Sequence, residues 1–192
     1  MKTFVSGLVV GVLIIPVLFV LVVLIVATGH LPTATADSPF PFERTIAGVA
    51  LHARIRRQAP RRDVSRLITD DLVGGANVYQ KNCAFCHGLP DQPKPLLATG
   101  MFPPPPQLFM AGDGVTDDPA GEVYWKVKNG IRLTGMPAFQ ASLSDEQMWQ
   151  ATALVVRANK LPIEAFDALK PASSVTNAGS AQPTQVPDNT DK

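Results

Sequence analysis

The sequence predicts an all-α fold, in which an N-terminal transmembrane helix precedes a domain of three main helices separated by long loops. Three observations support this prediction. A long run of residues near the N-terminus carries no charge. Three later segments show helix caps and apolar residues at helical spacing. The 18 prolines and 14 glycines indicate irregular loops rather than a continuous sheet or bundle.

The first element is the uncharged run 4–28, within a predicted anchor that covers residues 1–29. As a helix the run spans about 37 Å, enough to cross a hydrocarbon core of about 30 Å, and Pro16 predicts a kink rather than a break. A cleaved signal peptide is the alternative, because residues 34–36 resemble a cleavage site. The length of the run favours an uncleaved anchor. Lys2 places the N-terminus in the cytoplasm by the positive-inside rule, which exports the rest of the chain.

Residues 30–66 form a predicted connector rich in proline and arginine. Its first part is Pro/Ser/Thr-rich and predicted to be extended. The stretch ERTIAGVALHARIRRQ that follows predicts a short helix ended by Pro60. Seven arginines against two acidic residues give 40–66 a charge of about +5. These arginines fit either anionic lipid headgroups or a solvated basic stalk, and we expect the stalk. The whole chain has a net charge of +1, which argues against nucleic-acid binding.

The predicted globular domain covers residues 67–162 and begins with a helix over DDLVGGANVYQKNCAFCHG. Asp70 or Asp71 is a candidate N-terminal cap. The adjacent glycines at 74 and 75 are poor helix formers, which indicates that something packs closely there. An irregular stretch, 89–116, follows and contains four consecutive prolines.

The second and third helices are predicted over PAGEVYWKVKNG and DEQMWQATALVVRANK. Asp118 is a candidate cap for the second helix, with Pro119 at its first position. Ser144 and Gln147 form the capping-box pattern that opens the third helix. After the third helix the apolar pattern fades, and residues 163–192 are predicted to be a disordered tail.

The chain's two cysteines form a Cys-x-x-Cys-His motif, Cys83-Ala-Phe-Cys86-His87. This spacing is the attachment signature of c-type haem, since two thioethers one helical turn apart leave the adjacent imidazole facing the iron. A structural zinc site would need further ligands. A redox dithiol is expected in a βαβ context that is missing here, and a disulfide leaves His87 unexplained. The motif therefore predicts one covalently attached haem c, and a domain with such long loops needs a central group of this kind.

With these residues the stretch 72–160 resembles the monohaem class I cytochromes c, here in a bacterial, membrane-anchored form. The resemblance implies the cytochrome c fold, with three main helices and long loops around the haem. It also implies that the first and last helices cross at Gly75 and Tyr79, against Ala151 and Leu154. The positions that carry it are Gly75, Tyr79, Cys83, Cys86, His87, Pro106, Leu108, Gly135, Met136 and Pro137.

The predicted sixth ligand of the iron is Met136, in the loop GMPAF between the second and third helices. Its position in that loop favours it, and the resemblance implies the same residue. Met148 is expected in the core. The remaining candidates are Met101, Met110 and, in the connector outside the domain, His30 and His52.

The resemblance also implies that a proline carbonyl orients the ring of His87. Pro106 is the expected residue, and Pro105 is the alternative because four prolines blur the register. Trp125 and Tyr124 are candidates either for lining the haem or for simple packing. His/Met ligation would raise the reduction potential relative to bis-His ligation.

A six-coordinate iron offers no position to a substrate, so the sequence predicts an electron carrier and not an enzyme. We expect a single-pass protein of the bacterial inner membrane whose haem domain lies in the periplasm. Its expected partners are redox proteins, either a membrane complex or a periplasmic oxidoreductase. The alternatives are a fixed cytochrome subunit of a larger respiratory or dehydrogenase complex and a gas-binding haem sensor.

Overall fold

The computed structural model describes the backbone of residues 2–29 and 31–170 and the side chains of residues 12–29 and 31–170. Every regular element in this part of the chain is a helix, so the predicted all-α class is confirmed there. Single 3₁₀ turns lie at Val64–Arg66 and Ala158–Lys160. The helices are α1 Lys2–Ala27, α2 Glu43–Gln58, α3 Thr69–Asn82, α4 Ala84–His87, α5 Leu96–Thr99, α6 Ala120–Asn129, α7 Asp145–Val156 and α8 Ile163–Ala168.

Helix α1 occupies the predicted N-terminal segment and contains Pro16. Its large apolar side chains from Val12 to Val26 are exposed. Among the residues searched, which are those described, no helix combines the length and the apolar character needed to cross a membrane.

The core forms where α3 crosses α7. A Cβ on Gly75 would lie 2.7 Å from the carbonyl carbon of Gln150 and 3.3 Å from the amide nitrogen of Ala151. Only a glycine lets the two backbones approach so closely, and this confirms the crossing predicted at Gly75. Tyr79 and Leu154, at 1% and 0% exposure, pack in the same cluster.

Helix α7 begins as predicted, because Ser144 accepts a hydrogen bond from the backbone of Gln147 and the Gln147 side chain accepts one in return. The predicted start of α6 is one residue too early. Pro119 is the residue before the helix, and Asp118 forms an ion pair with Lys126 at 3.0 Å instead of capping.

A second apolar cluster joins α6 and α7 away from the crossing. Tyr124 stacks on Trp149 with ring centroids 4.0 Å apart, beside Met148. Met148 is 2% exposed, which confirms its predicted place in the core. Tyr124 therefore has a packing role, the second of the two roles considered for it.

The prediction that residues 163–192 are disordered is wrong for its first part. Ile163–Ala168 forms α8, and Ala165 and Leu169 are completely buried in the main core cluster. The side chain of Gln80 in α3 donates to the backbone oxygen of Lys170 at 2.8 Å. The apolar pattern of this stretch is too short to show a helix, but contacts with α3 stabilise it. The rest of the predicted tail, 171–192, lies outside the described residues.

The expected solvated stalk is wrong for α2, which packs against the domain. Ile55 is 0% exposed, and Gln58 accepts a hydrogen bond from the indole of Trp125 at 3.1 Å. A Cβ on Gly121 would overlap the carbonyl oxygen of Pro60, so the chain after α2 lies directly on the start of α6. Because α2 is rich in arginine, its sequence does not indicate that one of its faces is buried.

Candidate functional site

The cysteine motif lies at a break between two helices rather than inside the single helix that was predicted. Helix α3 ends at Asn82, and α4 makes one separate turn. The amides of Cys86 and His87 donate to the carbonyl of Cys83 at 3.1 and 2.9 Å, and this turn brings the three side chains together. Gly88 ends the turn with φ +75°, a conformation that favours glycine.

The motif borders an apolar cleft with a volume of about 280 Å³. All five predicted site residues line it, with Met136 and Pro106 joining the motif. Apolar side chains from α6, α7 and two loops complete its wall: Leu108, Val123, Val127, Ile131, Phe139 and Val155. Such a cleft suits a flat apolar group rather than a polar substrate.

The ring of His87 is held at the cleft by the proline loop. Its Nδ1 lies 2.8 Å from the carbonyl oxygen of Pro106, the residue expected for this contact. The alternative, Pro105, instead accepts from the side chain of Gln107 at 3.1 Å. With Nδ1 as the donor, Nε2 is left free to bind a metal ion.

Gln107 is a site residue that the sequence did not reveal. Its side chain is 4% exposed and also donates to the carbonyl of Cys86 at 3.1 Å. Its backbone amide donates to the carboxylate of Asp113 at 2.8 Å. Gln107 thereby fastens the proline loop to the cysteine turn. The one indication of this role in the sequence is that Gln107 is a polar residue between the four prolines and the apolar pair Leu108-Phe109.

Met136 lies in a tight loop between α6 and α7. Its carbonyl accepts from the amide of Ile131 at 3.2 Å, and its amide donates to the hydroxyl of Thr134 at 3.1 Å. A side chain on Gly130, which has φ +66°, would lie 2.8 Å from the carbonyl of Met136. These contacts position Met136 on the wall of the cleft.

Of the other methionine candidates, only Met101 lines the cleft. Its sulfur lies 3.9 Å from that of Cys86, and its methyl group packs against Gly135. Met110 is 54% exposed and is not among the residues that line the cleft. The connector candidate His30 lies outside the described residues.

His52 corrects the expectation that the connector lies apart from the site. Together with Leu51 it lines the cleft from α2. Arg44, two turns earlier in the same helix, stacks over the ring of Phe102 at 5.1 Å. The cleft therefore includes one helix from outside the predicted domain. Trp125 contacts this helix and is absent from the lining, so it packs rather than faces the cleft.

The ionisation of the cysteines argues against thiolate chemistry. Burial, reinforced by the nearby Cys86, raises the pKa of Cys83 to about 12. Burial also raises the pKa of Cys86. A redox dithiol has the opposite shift. Both cysteines are free, and no cluster of three metal-binding side chains occurs among the residues described.

The donor set fits a covalently held haem: two neutral free thiols, one oriented imidazole and one thioether around an apolar cleft. The sequence profile of cytochrome c oxidase, cbb3-type, subunit III matches residues 70–155. Those residues form a c-type cytochrome domain. Comparison with curated proteins and with solved structures found no match.

The cofactor of the cytochrome domain is a covalently bound haem c with its iron. The matched range begins in α3 and ends in α7, so it contains the cysteine motif, the proline loop and the Met136 loop. Helices α2 and α8 pack against the cytochrome domain from outside this range. A c-type cytochrome serves electron transport, which agrees with the function class that the motif predicts.

Proposed function

We propose that this protein is a membrane-tethered periplasmic cytochrome that carries single electrons between redox partners. Haem c would be attached through Cys83 and Cys86, and its iron would be held by His87 and Met136. The observation that carries the proposal is that one apolar cleft contains all four side chains. Bound there, the haem supplies one-electron exchange between Fe(II) and Fe(III).

His87 is suited to the role of the first ligand. Burial lowers the pKa of its imidazole, and the hydrogen bond to Pro106 partly opposes this shift. The neutral ring is the form that binds a metal ion, and the bond from Nδ1 fixes which nitrogen remains free. Pro106 is therefore proposed as the residue that orients the ring.

Met136 is suited to the role of the second ligand. A thioether is a soft donor that favours Fe(II), so it raises the reduction potential. With both axial positions taken by the protein, no position remains for a substrate. Electrons would then pass through the haem edge without chemistry at the iron, and the protein would act as a carrier rather than as an enzyme.

The tether in this proposal is the N-terminal segment. Residues 4–28 carry no charge, and the described side chains of α1 in this run are exposed and apolar. Because α2 packs on the cytochrome domain, only the chain between α1 and α2 remains as a linker. Those 15 residues, 28–42, reach at most about 50 Å, which limits how far the domain could move from an anchor.

A second candidate is a fixed cytochrome subunit of a larger respiratory complex. The profile match favours it, because the matched family is named for a subunit of a terminal oxidase. Blue-native electrophoresis of solubilised membranes with haem staining separates the two candidates. A lone carrier migrates near its own mass of 20.5 kDa plus detergent, whereas a subunit migrates with a large complex.

The axial ligand is tested with two methionine variants of the full-length protein. Met136→Ala should lose the weak far-red absorption band of methionine-ligated ferric haem and should lower the reduction potential. Met101→Ala is the matched control, since Met101 lines the same cleft and should leave the band in place. If the band survives in Met136→Ala and is lost in Met101→Ala, Met101 is the axial ligand and the assignment of Met136 is rejected.

Covalent attachment is tested by denaturing electrophoresis under reducing conditions. The wild-type band should retain haem stain. The double variant Cys83→Ala, Cys86→Ala should lose it, and haem stain on that variant would overturn the proposed attachment.

A further inference from the structure

Helix α2 has two faces, and the cytochrome domain covers only one of them. The inner face contains Leu51, His52 and Ile55, which contact the cleft or the core. Successive residues of a helix are rotated by about 100°, so Ile46 lies opposite Ile55 and Val49 lies about 120° around the helix from it. Both are exposed, at 67% and 65%. The outer face therefore presents large apolar side chains that nothing in the described structure covers.

Arginines lie beside this apolar strip. Arg54, Arg56 and Arg57 follow it in the last turns of α2, and all three are exposed. Two other connector arginines have acidic partners, since Arg62 pairs with Glu146 at 3.1 Å and Arg66 pairs with Asp63 at 3.5 Å. Within the residues described, no carboxylate lies at ion-pair distance from these three.

Two aromatic side chains extend the strip at the start of α2. Phe42 precedes the helix and is 76% exposed, and Phe40 is 52% exposed. Apolar and aromatic side chains flanked by basic ones are typical of helices that lie in the interface of an anionic bilayer. The strip begins only 15 residues after α1 ends at Ala27, so it stays close to any surface that α1 meets.

We propose that the outer face of α2 binds the headgroup region of a bilayer containing anionic lipid. The apolar strip (Phe42, Ile46, Val49) would enter the interface, and the three arginines would contact lipid phosphates. Because the inner face of α2 is docked beside the cleft, this contact fixes the orientation of the haem domain relative to the membrane. Charge complementarity favours anionic lipid over a neutral surface, since each basic residue near such a surface changes the binding constant by a factor of about five.

The test uses full-length, haem-loaded protein with a nitroxide label on Val49→Cys, reconstituted into vesicles; the haem is reduced, and the reductant removed, before the label is attached. Accessibility of the label is measured to oxygen, which partitions into lipid, and to a water-soluble nickel chelate. Phosphatidylglycerol-containing vesicles are compared with pure phosphatidylcholine. A label on Asn77→Cys, at an exposed position of α3, is the matched control.

In anionic vesicles the label at Val49 should become accessible to oxygen and protected from nickel, while the label at Asn77 stays accessible to nickel. Reversing two charges with Arg54→Glu and Arg57→Glu should lower the equilibrium constant between the docked and undocked outer face, read from the label at residue 49, at least about 25-fold, by the factor of five per charge. An unchanged absorption spectrum of each variant shows that the haem domain remains folded. If Val49→Cys fails to load haem, Ala53→Cys, one turn further along the same face, takes its place.

Three results would overturn the proposal. Nickel access at residue 49 in anionic vesicles would show that the outer face is solvated. Protection in phosphatidylcholine that equals the protection in anionic vesicles would show that anionic lipid is not recognised, and equal protection in detergent would assign the face to a protein contact, either a second copy or a partner subunit.

Discussion

Replacing Gly75 by alanine should destabilise the protein, because the new methyl group has no space at the crossing of α3 and α7. The Cβ would overlap the carbonyl oxygen of Gln150 and lie 2.7 Å from its carbonyl carbon. Ordinary contacts begin near 3.4 Å, so the two backbones must separate by roughly 1 Å. Overpacking of this kind costs about 3 kcal/mol. Alanine's better helix propensity offsets about 1 kcal/mol, which leaves a net loss of about 2 kcal/mol.

The adjacent Gly74 provides the control. A Cβ there meets only the flexible end of the Gln150 side chain, at 3.0 Å from Oε1. Gly74→Ala should therefore be neutral or stabilising by up to about 1 kcal/mol through helix propensity alone. Urea unfolding of the haem-loaded protein, followed by circular dichroism and by haem absorbance, gives both values. Equal stabilities of the two variants would refute the argument from close backbone approach.

Three further predictions follow from the hydrogen bonds and contacts described above. Gln107→Leu leaves the carbonyls of Cys86 and Pro105 without their donor and should cost about 2 kcal/mol in urea unfolding; an unchanged midpoint would contradict this role. In Gly121→Ala the new methyl group would overlap the carbonyl oxygen of Pro60, so this variant should release α2 and speed the cleavage of α2 by trypsin about tenfold. Gly100→Ala is the control and should leave the cleavage rate unchanged, because its Cβ has its nearest neighbour at 3.9 Å. The Tyr124 hydroxyl holds the pKa of Asp145 below its usual 3.8, so Asp145→Asn should lower the thermal midpoint of unfolding above about pH 4. The difference in midpoint between variant and wild type should vanish as acid protonates the carboxylate. A constant difference from pH 2 to 6 would refute this.

The sequence was sufficient to predict those parts of the site that depend on local constraints. The cysteine spacing predicts haem attachment because the two thioethers need sulfurs one helical turn apart and a histidine beside them. The helix crossing at Gly75 could be predicted because a glycine lowers the stability of a helix and therefore indicates that a neighbouring element packs closely there. The capping box at Ser144 is likewise a local pattern that needs no tertiary contact.

The features that could not be predicted depend on contacts between distant residues. Ile55 is buried in a helix that packs against α6, and the four arginines of the same helix indicate a solvated segment when the sequence is considered alone. Helix α8 is too short to show a period, and its burial against α3 decides its structure. The bridging role of Gln107 depends on two carbonyls that are brought together only when the loops fold.

The position of Cys83 has a consequence for biogenesis. Its side chain packs against the core cluster that contains Leu72 and Leu154, whereas Cys86 lies nearer the surface. Once α3 and α7 have come together, an enzyme that joins a porphyrin vinyl group to the Cys83 sulfur can approach it only from the cleft. Joining the pigment before final closure of the polypeptide would give that enzyme direct access, so we expect the maturing chain to stay open until both sulfur bonds exist.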